Sequence, residues 1–393
     1  MSAGNSLKRC RVGVLLSGRE QFSPYFGGAL ARWTYEVYSR LQEQVEVTVF
    51  GFPTGEQYRY PLPHETSGIW RACTIASRIP RVRRYEERIW LGALFRRLSR
   101  FDVLHIHNRP QWAAPLRSMG YTGSIVLHLQ NDHLGHWSGP MLDALASKLN
   151  RLVVCSNYLR GTFASKSPEL AGKTRVVPNG ADTKLFCPRE ELRESKTILF
   201  VGRFDAEKGV LQLLQAYARV LQSHPEARLV VGGATSFGVH KETVYVRGVR
   251  ELAHAMEQAG SPPIHFTGYL DHDRDLPSWF QKATVFASPS VFQEPFGLVN
   301  AEAMACATPV VGSNRGGIPE VLGAAGRLVN PENTQEFAAA ISDLLSNSDL
   351  CRQLGRAACE RCRKMFDWRV IAGTWLSMLE QLEPDGVCHL ASA

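Results

Sequence analysis

The chain has 393 residues, 44% hydrophobic and 21% charged, the composition of a globular protein with room for two domains. No apolar run reaches the roughly 18–20 residues that a bilayer demands, so no membrane-spanning helix is expected. The net charge of +8 is uneven, with 24 Lys/Arg against 13 Asp/Glu in residues 1–183 and 21 against 24 in the rest, and no nucleic-acid-binding motif or aromatic stacking array accompanies it.

In chain order, the basic N-terminus leads into a short apolar run, Val12–Leu16. That run is too short for a signal-peptide core and reads as a first buried strand. Gly27 and Gly28 follow, before a helix expected over Ala29–Leu41, with Leu30, Trp33, Val37 and Leu41 at helical spacing. Val45–Phe50 reads as a strand, and Pro53–Ser77, rich in Pro, Gly and Tyr, as a long loop. Arg71–Arg100 interleaves Arg78, Arg81, Arg83, Arg84, Arg88, Arg96, Arg97 and Arg100 with Ile79, Val82, Trp90, Leu91, Leu94 and Leu98. This basic amphipathic segment is a candidate for peripheral contact with an anionic membrane, or else a solvated face docked on its own domain. Strands over Val103–Ile106, Ile125–Leu129, Leu152–Cys155 and Thr174–Val177 complete a βα alternation that implies a parallel sheet.

The rhythm then repeats. Thr197–Val201 reads as a strand, Gly209–Gln222 as a helix, Ala227–Val231 as a strand, Glu242–Gln258 as a helix and Ile264–Phe266 as a strand. The fold class is α/β: two doubly wound parallel-sheet domains, 1–183 and 184–365, with an amphipathic last helix over 366–383. The nine cysteines lie in apolar contexts and read as buried thiols of a reducing cytoplasm. Cys359-x-x-Cys362 has no second Cys or His pair at zinc spacing.

The most informative stretch runs from Ser288 to Pro319, entered by a strand-like run from Ala283. A strand leads into a Pro/Ser loop, then Glu294, then Pro295-Phe296-Gly297, then a small-residue helix carrying Glu302 and ending near Thr308-Pro309. Two carboxylates eight residues apart thus straddle a helix N-terminus. Free amides and the positive dipole end suit phosphates. Carboxylates beside them can accept from ribose and hexose hydroxyls, so a nucleotide sugar fits. Arg203 and Lys208 follow the strand that ends at Val201-Gly202, where a parallel sheet commonly binds its ligand.

Together, Glu294-x7-Glu302 with Phe296-Gly297, the run Val201-Gly202-Arg203 to Lys208-Gly209, Pro178-Asn179-Gly180 and the early Gly27-Gly28 resemble the retaining GT-B-fold glycosyltransferases of family 4, the glycosyl transferases group 1. The resemblance extends over nearly the whole chain and includes the spore-coat and cell-surface polysaccharide enzymes. It implies two Rossmann-like domains facing a central cleft, the last helix crossing back to the first. It also implies transfer of a hexose from a UDP- or GDP-sugar to a glycan or lipid-linked acceptor in cell-surface glycan synthesis. Arg203, Lys208 and Glu294 would carry catalysis, together with Gln130 and His128. Glu302, Phe296, Gly297, Leu298, Gly202 and Asn179 would bind the donor. Gly27 and Gly28 would form the acceptor-side phosphate loop.

No cofactor and no metal are expected. Asp271-His-Asp273 has Asp-x-Asp spacing, but follows a strand expected to lie away from the donor loops. The chain departs from the family in Ser124–His133, where Gln130 stands at the usual histidine position, with His128 before it and Asp132 and His133 after. Glutamine hydrogen-bonds but does not titrate. That departure keeps two alternatives open: a nucleotide-sugar epimerase on the same fold, and a non-catalytic nucleotide-sugar-binding surface-assembly protein.

Overall fold

The computed structural model describes residues 9–16, 20–66, 86–234 and 243–382. The chain divides into two units, Met1–Pro178 with Arg369–Ala393, and Asn179–Trp368.

The first unit holds β1 (Cys10–Leu15), β2 (Val45–Phe50), β3 (His64–Glu65), β4 (Val103–His107), β5 (Ser124–Leu129), β6 (Arg151–Val154) and β7 (Thr174–Val176). They form one parallel sheet in the order β3-β2-β1-β4-β5-β6-β7. The second holds β8 (Thr197–Val201), β9 (Arg228–Gly232), β10 (His265–Gly268), β11 (Val285–Ser288), β12 (Val310–Ser313) and β13 (Arg327–Val329), ordered β10-β9-β8-β11-β12-β13, again all parallel. Both units are therefore Rossmann-like and doubly wound. Every residue of β4 and of β11 is buried, as expected when helices cover both sheet faces. In each sheet the order reverses between two central neighbours, β1 and β4 or β8 and β11. Ligands of such sheets bind outside the carboxyl ends of those strands.

The region read as a loop from Pro53 departs from that reading. It contains a single 3₁₀ turn, Glu56–Tyr58, and β3, which extends the sheet by pairing with Val49 and Phe50; residues 67–77 lie outside the described residues. β3 arises from pairing with a neighbour and has no apolar alternation of its own.

In the basic segment, Arg71, Arg78, Arg81, Arg83 and Arg84 lie outside the described residues. The rest forms the helix Glu86–Leu98, which buries Trp90, Leu91, Leu94 and Leu98 and turns Arg88, Arg96 and Arg97 to solvent. Arg97 and Arg100 reach Glu65 at 3.5 and 3.8 Å.

The last helix, Trp368–Glu380, buries Trp375 in the first unit, where its Nε1 donates to the Tyr38 hydroxyl at 3.1 Å. In the second unit, Cys359 and Cys362 face inward from helix Ser348–Met365. Their thiols donate to the carbonyls of Ala305 (3.4 Å) and Ala301 (3.2 Å), and burial raises both pKa values. The cysteine pair thus seats this helix against Leu298–Ala305, the helix that carries Glu302.

Candidate functional site

In the second unit, two loops leave the carboxyl ends of β8 and β11. The first carries Gly202, Arg203 and a 3₁₀ turn, Ala206–Lys208; the second carries Ser290 to Gly297. Val291 N–H donates to Glu207 O at 2.9 Å and ties them together. Lys208, only 15% exposed, places Nζ 2.6 and 2.9 Å from the two carboxylate oxygens of Glu294. Two residues 86 positions apart thus form one charged pair at the switch point. Arg203 stands apart: its side chain is 60% exposed, with Nη2 3.4 Å from Asp205. A long exposed cation of this kind keeps the freedom to swing onto an anion.

Gly297 caps helix Leu298–Ala305 at φ +85, a left-handed conformation that an L side chain adopts only with strain. The sequence reading assigns this glycine to close phosphate approach; backbone conformation is the reason the structure supplies. The amides of Phe296, Gly297, Leu298 and Val299 donate to no protein acceptor among the described residues. Phe296 itself is buried, its ring 5.6 Å from that of Phe366. The result is a cluster of unpaired donors at a positive dipole end, beside Lys208 and Glu294.

Glu302 is 3% exposed and accepts from His272 Nε2 at 2.8 Å, while His272 Nδ1 lies 2.7 Å from Asp273. The expectation that Asp271-His-Asp273 lies away from the donor loops is thereby corrected, because its histidine touches Glu302 on helix Leu298–Ala305. Asn300, fully buried on the same helix, finds no partner among the described residues for either side-chain polar atom. Sequence reasoning missed both His272 and Asn300. Asn300 carried a legible signal: a polar amide within an otherwise small, apolar helix must be satisfied by something. Asn179 Oδ1 is also buried without a partner.

The first unit treats its polar groups differently. Gly28 N–H and Ala31 N–H, at the start of helix Ala29–Tyr38, both donate to Glu20 Oε1, at 2.6 and 3.4 Å. The anion position at Gly27-Gly28 is therefore filled from within, by a carboxyl whose pKa burial raises. Gly27 is glycine because a Cβ there would run into the carbonyls of Gln21 and Ser23.

His128 lies in the core, fully buried with His105 and His107 on one face of β4 and β5. Trp33 packs edge-on over all three imidazoles. A chain of hydrogen bonds joins them: Trp375 Nε1 donates to the Tyr38 hydroxyl, that hydroxyl bonds His105 Nδ1 (3.0 Å), and His105 Nε2 bonds His128 Nδ1 (3.3 Å). Thr34 donates to Leu30 O and so accepts from His107 Nε2 at 3.0 Å. Burial depresses all three imidazole pKa values, that of His128 to about 3. One nitrogen from each ring lies within 4.8 Å of the others, but the side chains that touch them are Trp, Tyr and Thr, and among the described residues no carboxylate joins the cluster to offset a divalent ion.

Gln130, two residues on, is 7% exposed. Its N–H is held by Asn108 Oδ1 at 2.8 Å, and Asn108, at φ +51, donates its own N–H to His128 O at 2.9 Å. Gln130 Nε2 has no partner. Gln130 and His128 thus belong to the first unit, and Arg203, Lys208, Glu294 and Glu302 to the second.

Residues 26–185 match the family model Glycosyltransferase Family 4, and residues 185–361 match Glycosyl transferases group 1. Spore coat protein SA of Bacillus subtilis is 33% identical over 322 residues, 76% of this chain and 82% of that protein. A phosphatidyl-myo-inositol mannosyltransferase of Mycobacterium tuberculosis is 28% identical over 300 residues, 73% and 75% of the two chains. Among solved structures, Anabaena HepE in complex with UDP and glucose superposes with a TM-score of 0.72 at 19% identity, covering 95% of this chain and 100% of that one.

Proposed function

Because the chain belongs to the group 1 glycosyltransferases of family 4, whose GT-B fold it shares, we propose that it moves a hexose with retention from a nucleoside-diphosphate sugar to a glycan or lipid-linked hydroxyl. The observation that carries this reading is the cluster of four partnerless amides at Gly297, with the Lys208–Glu294 pair beside it at the switch point of the second sheet. That combination suits a diphosphate flanked by hydroxyls. Complexes of HepE with UDP and glucose add support.

In this reading the diphosphate lies on the amides of Phe296 to Val299. Lys208 and Arg203 meet its charge, and Lys208 in turn releases the Glu294 carboxylate to the hexose hydroxyls. Glu302, held by His272, accepts from the ribose. During transfer the bond from the anomeric carbon to the phosphate oxygen breaks and one to the acceptor oxygen forms. The acceptor proton leaves on the departing phosphate. The growing charge falls on Lys208, Arg203 and fixed amides, with no metal required. Gln130 Nε2–H serves as a hydrogen-bond donor on the acceptor side, set in place by Asn108; His128 is a positioning residue beneath it. Membrane approach through helix Glu86–Leu98 would rest on its outward arginines, because its apolar stripe is already buried.

Calorimetry with UDP, GDP and ADP, followed by product analysis with the matching nucleotide hexose, tests the reading. One nucleotide should bind and its sugar should be transferred. A folded protein that binds none of the three would overturn it.

A further inference from the structure

The second unit carries another cavity at the opposite end of its sheet from the donor loops. Its floor is formed just before β8, β11 and β12, by Lys196, Thr284 and Pro309. Helix Ser348–Met365 walls one side with Cys351, Arg352 and Arg356, and the cavity measures about 370 Å³. That is within the range of small-molecule sites.

Four cations, Arg193, Lys196, Arg352 and Arg356, line this space against one carboxylate, Glu190. Lys196 pairs with Glu226, and Arg352 with Asp349, in partly or largely exposed contacts. Such surface pairs are weakly held. Arg356 has no ion-pair or hydrogen-bond partner among the described residues. Arg193 spends its guanidinium on neutral oxygens: Thr308 Oγ1 at 2.9 Å, Ala307 O at 3.2 Å, Cys306 O at 3.4 Å, and Ala283 O. A guanidinium does not discharge by losing its proton, so the cavity keeps net positive charge. Leu344 and Leu345 add an apolar wall.

We propose that this cavity binds a small phosphomonoester, with its phosphate on Arg356, Lys196 and Arg193 and its carbon skeleton on Leu344 and Leu345. Guanidinium forks match phosphate oxygens, and the leucines favour an organic phosphate over the bare ion. The position also gives the ligand a lever. The carbonyls that Arg193 holds, Cys306 and Ala307, terminate helix Leu298–Ala305, whose other end bears the partnerless amides. Eight residues of helix span about 12 Å. A phosphate that draws on Arg193 therefore acts on the far end of the donor helix, and by linkage each ligand alters the affinity of the other equally.

The test uses the full chain, at constant ionic strength, with saturating UDP so that the donor site is closed to the probe. Glucose 6-phosphate and inorganic phosphate are titrated by calorimetry. Both should bind, glucose 6-phosphate the more tightly. Arg356→Ala, at an exposed residue, should weaken binding about tenfold without moving the melting temperature, and Lys196→Ala, at a half-buried one, should weaken it about as much. If UDP itself does not bind, the donor reading fails, but the same titration without it still reports on this cavity through the two variants. No binding of either anion up to about 10 mM, far above the micromolar range of specific sites, overturns the proposal. So does binding unchanged in both variants, or binding of phosphate without glucose 6-phosphate.

Discussion

The two sheets share one strand order and differ in how they finish the helix that follows a central strand. In the second unit, helix Leu298–Ala305 begins behind a left-handed glycine and presents amides that no atom among the described residues accepts from. In the first, helix Ala29–Tyr38 begins behind Gly28, and Glu20 already occupies its leading amides. The same dipole end is thus open to an anion in one unit and closed in the other. A doubly wound sheet supplies the position, and a single side chain decides whether an anionic ligand can use it. In the proposed reading, the diphosphate of the donor takes the open end, and the first unit is left to a ligand whose contacts are hydrogen bonds.

The largest effect that would break this contrast lies at Lys208. Lys208→Ala should lower turnover by roughly 10²–10³, and the unmodified enzyme should work in EDTA. Activity lost to EDTA and restored by magnesium or manganese would place the leaving-group charge on a metal instead. Next, Glu302→Ala should weaken nucleotide binding by on the order of ten- to a hundredfold, the worth of a hydrogen bond to a charged group. Calorimetry on the folded variant reads this directly, and an unchanged affinity would remove Glu302 from the donor site.

On the other side of the comparison, Gln130→Ala should slow transfer about tenfold through a lost polar partner, while Gln130→His is tolerated. The pH–rate profile sharpens the point. His128 stays neutral down to about pH 3, so no limb between roughly pH 5 and 8 should belong to it. A limb there that vanishes in His128→Asn would return the titrating role to His128. The smallest effect is at the closed end. Glu20→Ala should cost about 0.5–2 kcal/mol of stability as a lost helix cap, seen in denaturant unfolding, with nucleotide affinity unchanged. Burial opposes the ionised carboxyl, so Glu20→Gln, which keeps an acceptor and drops the charge, should cost less.

Much of the candidate site in the second unit is legible in the residue order because its parts are local. Glu294, Gly297 and Glu302 fall within nine consecutive positions, and the small residues between them leave little but a helix. The partnerships are not legible. Lys208 meets Glu294 across 86 positions and His272 meets Glu302 across 30, distances at which only the sheet order decides who touches whom. The same reason hides the edge strands: His64–Glu65 and Arg327–Val329 are only two and three residues long, too short for a pattern of their own, and exist because a longer neighbour offers them hydrogen bonds. In the first unit, the alternation of His105 and His107 shows which face of β4 they share. What they pack against is less legible: the Trp375 ring that lies on His105 and His128 comes from far along the chain.

That distance has a temporal meaning. Trp33 is made before the imidazoles it covers, but Trp375, the second aromatic ring on His105 and His128, arrives only after all of Asn179–Trp368 has been made. At about 5–20 residues per second, those 190 residues occupy a ribosome for roughly 10–40 s. Throughout that interval the nascent first unit has Trp33 and the imidazoles without their final partner, and the Tyr38 hydroxyl without its donor. The second unit, continuous in the chain, can close as soon as it emerges. The half of the protein made first is therefore completed last, and its exposure to chaperones and proteases during synthesis is set by the length of the other half.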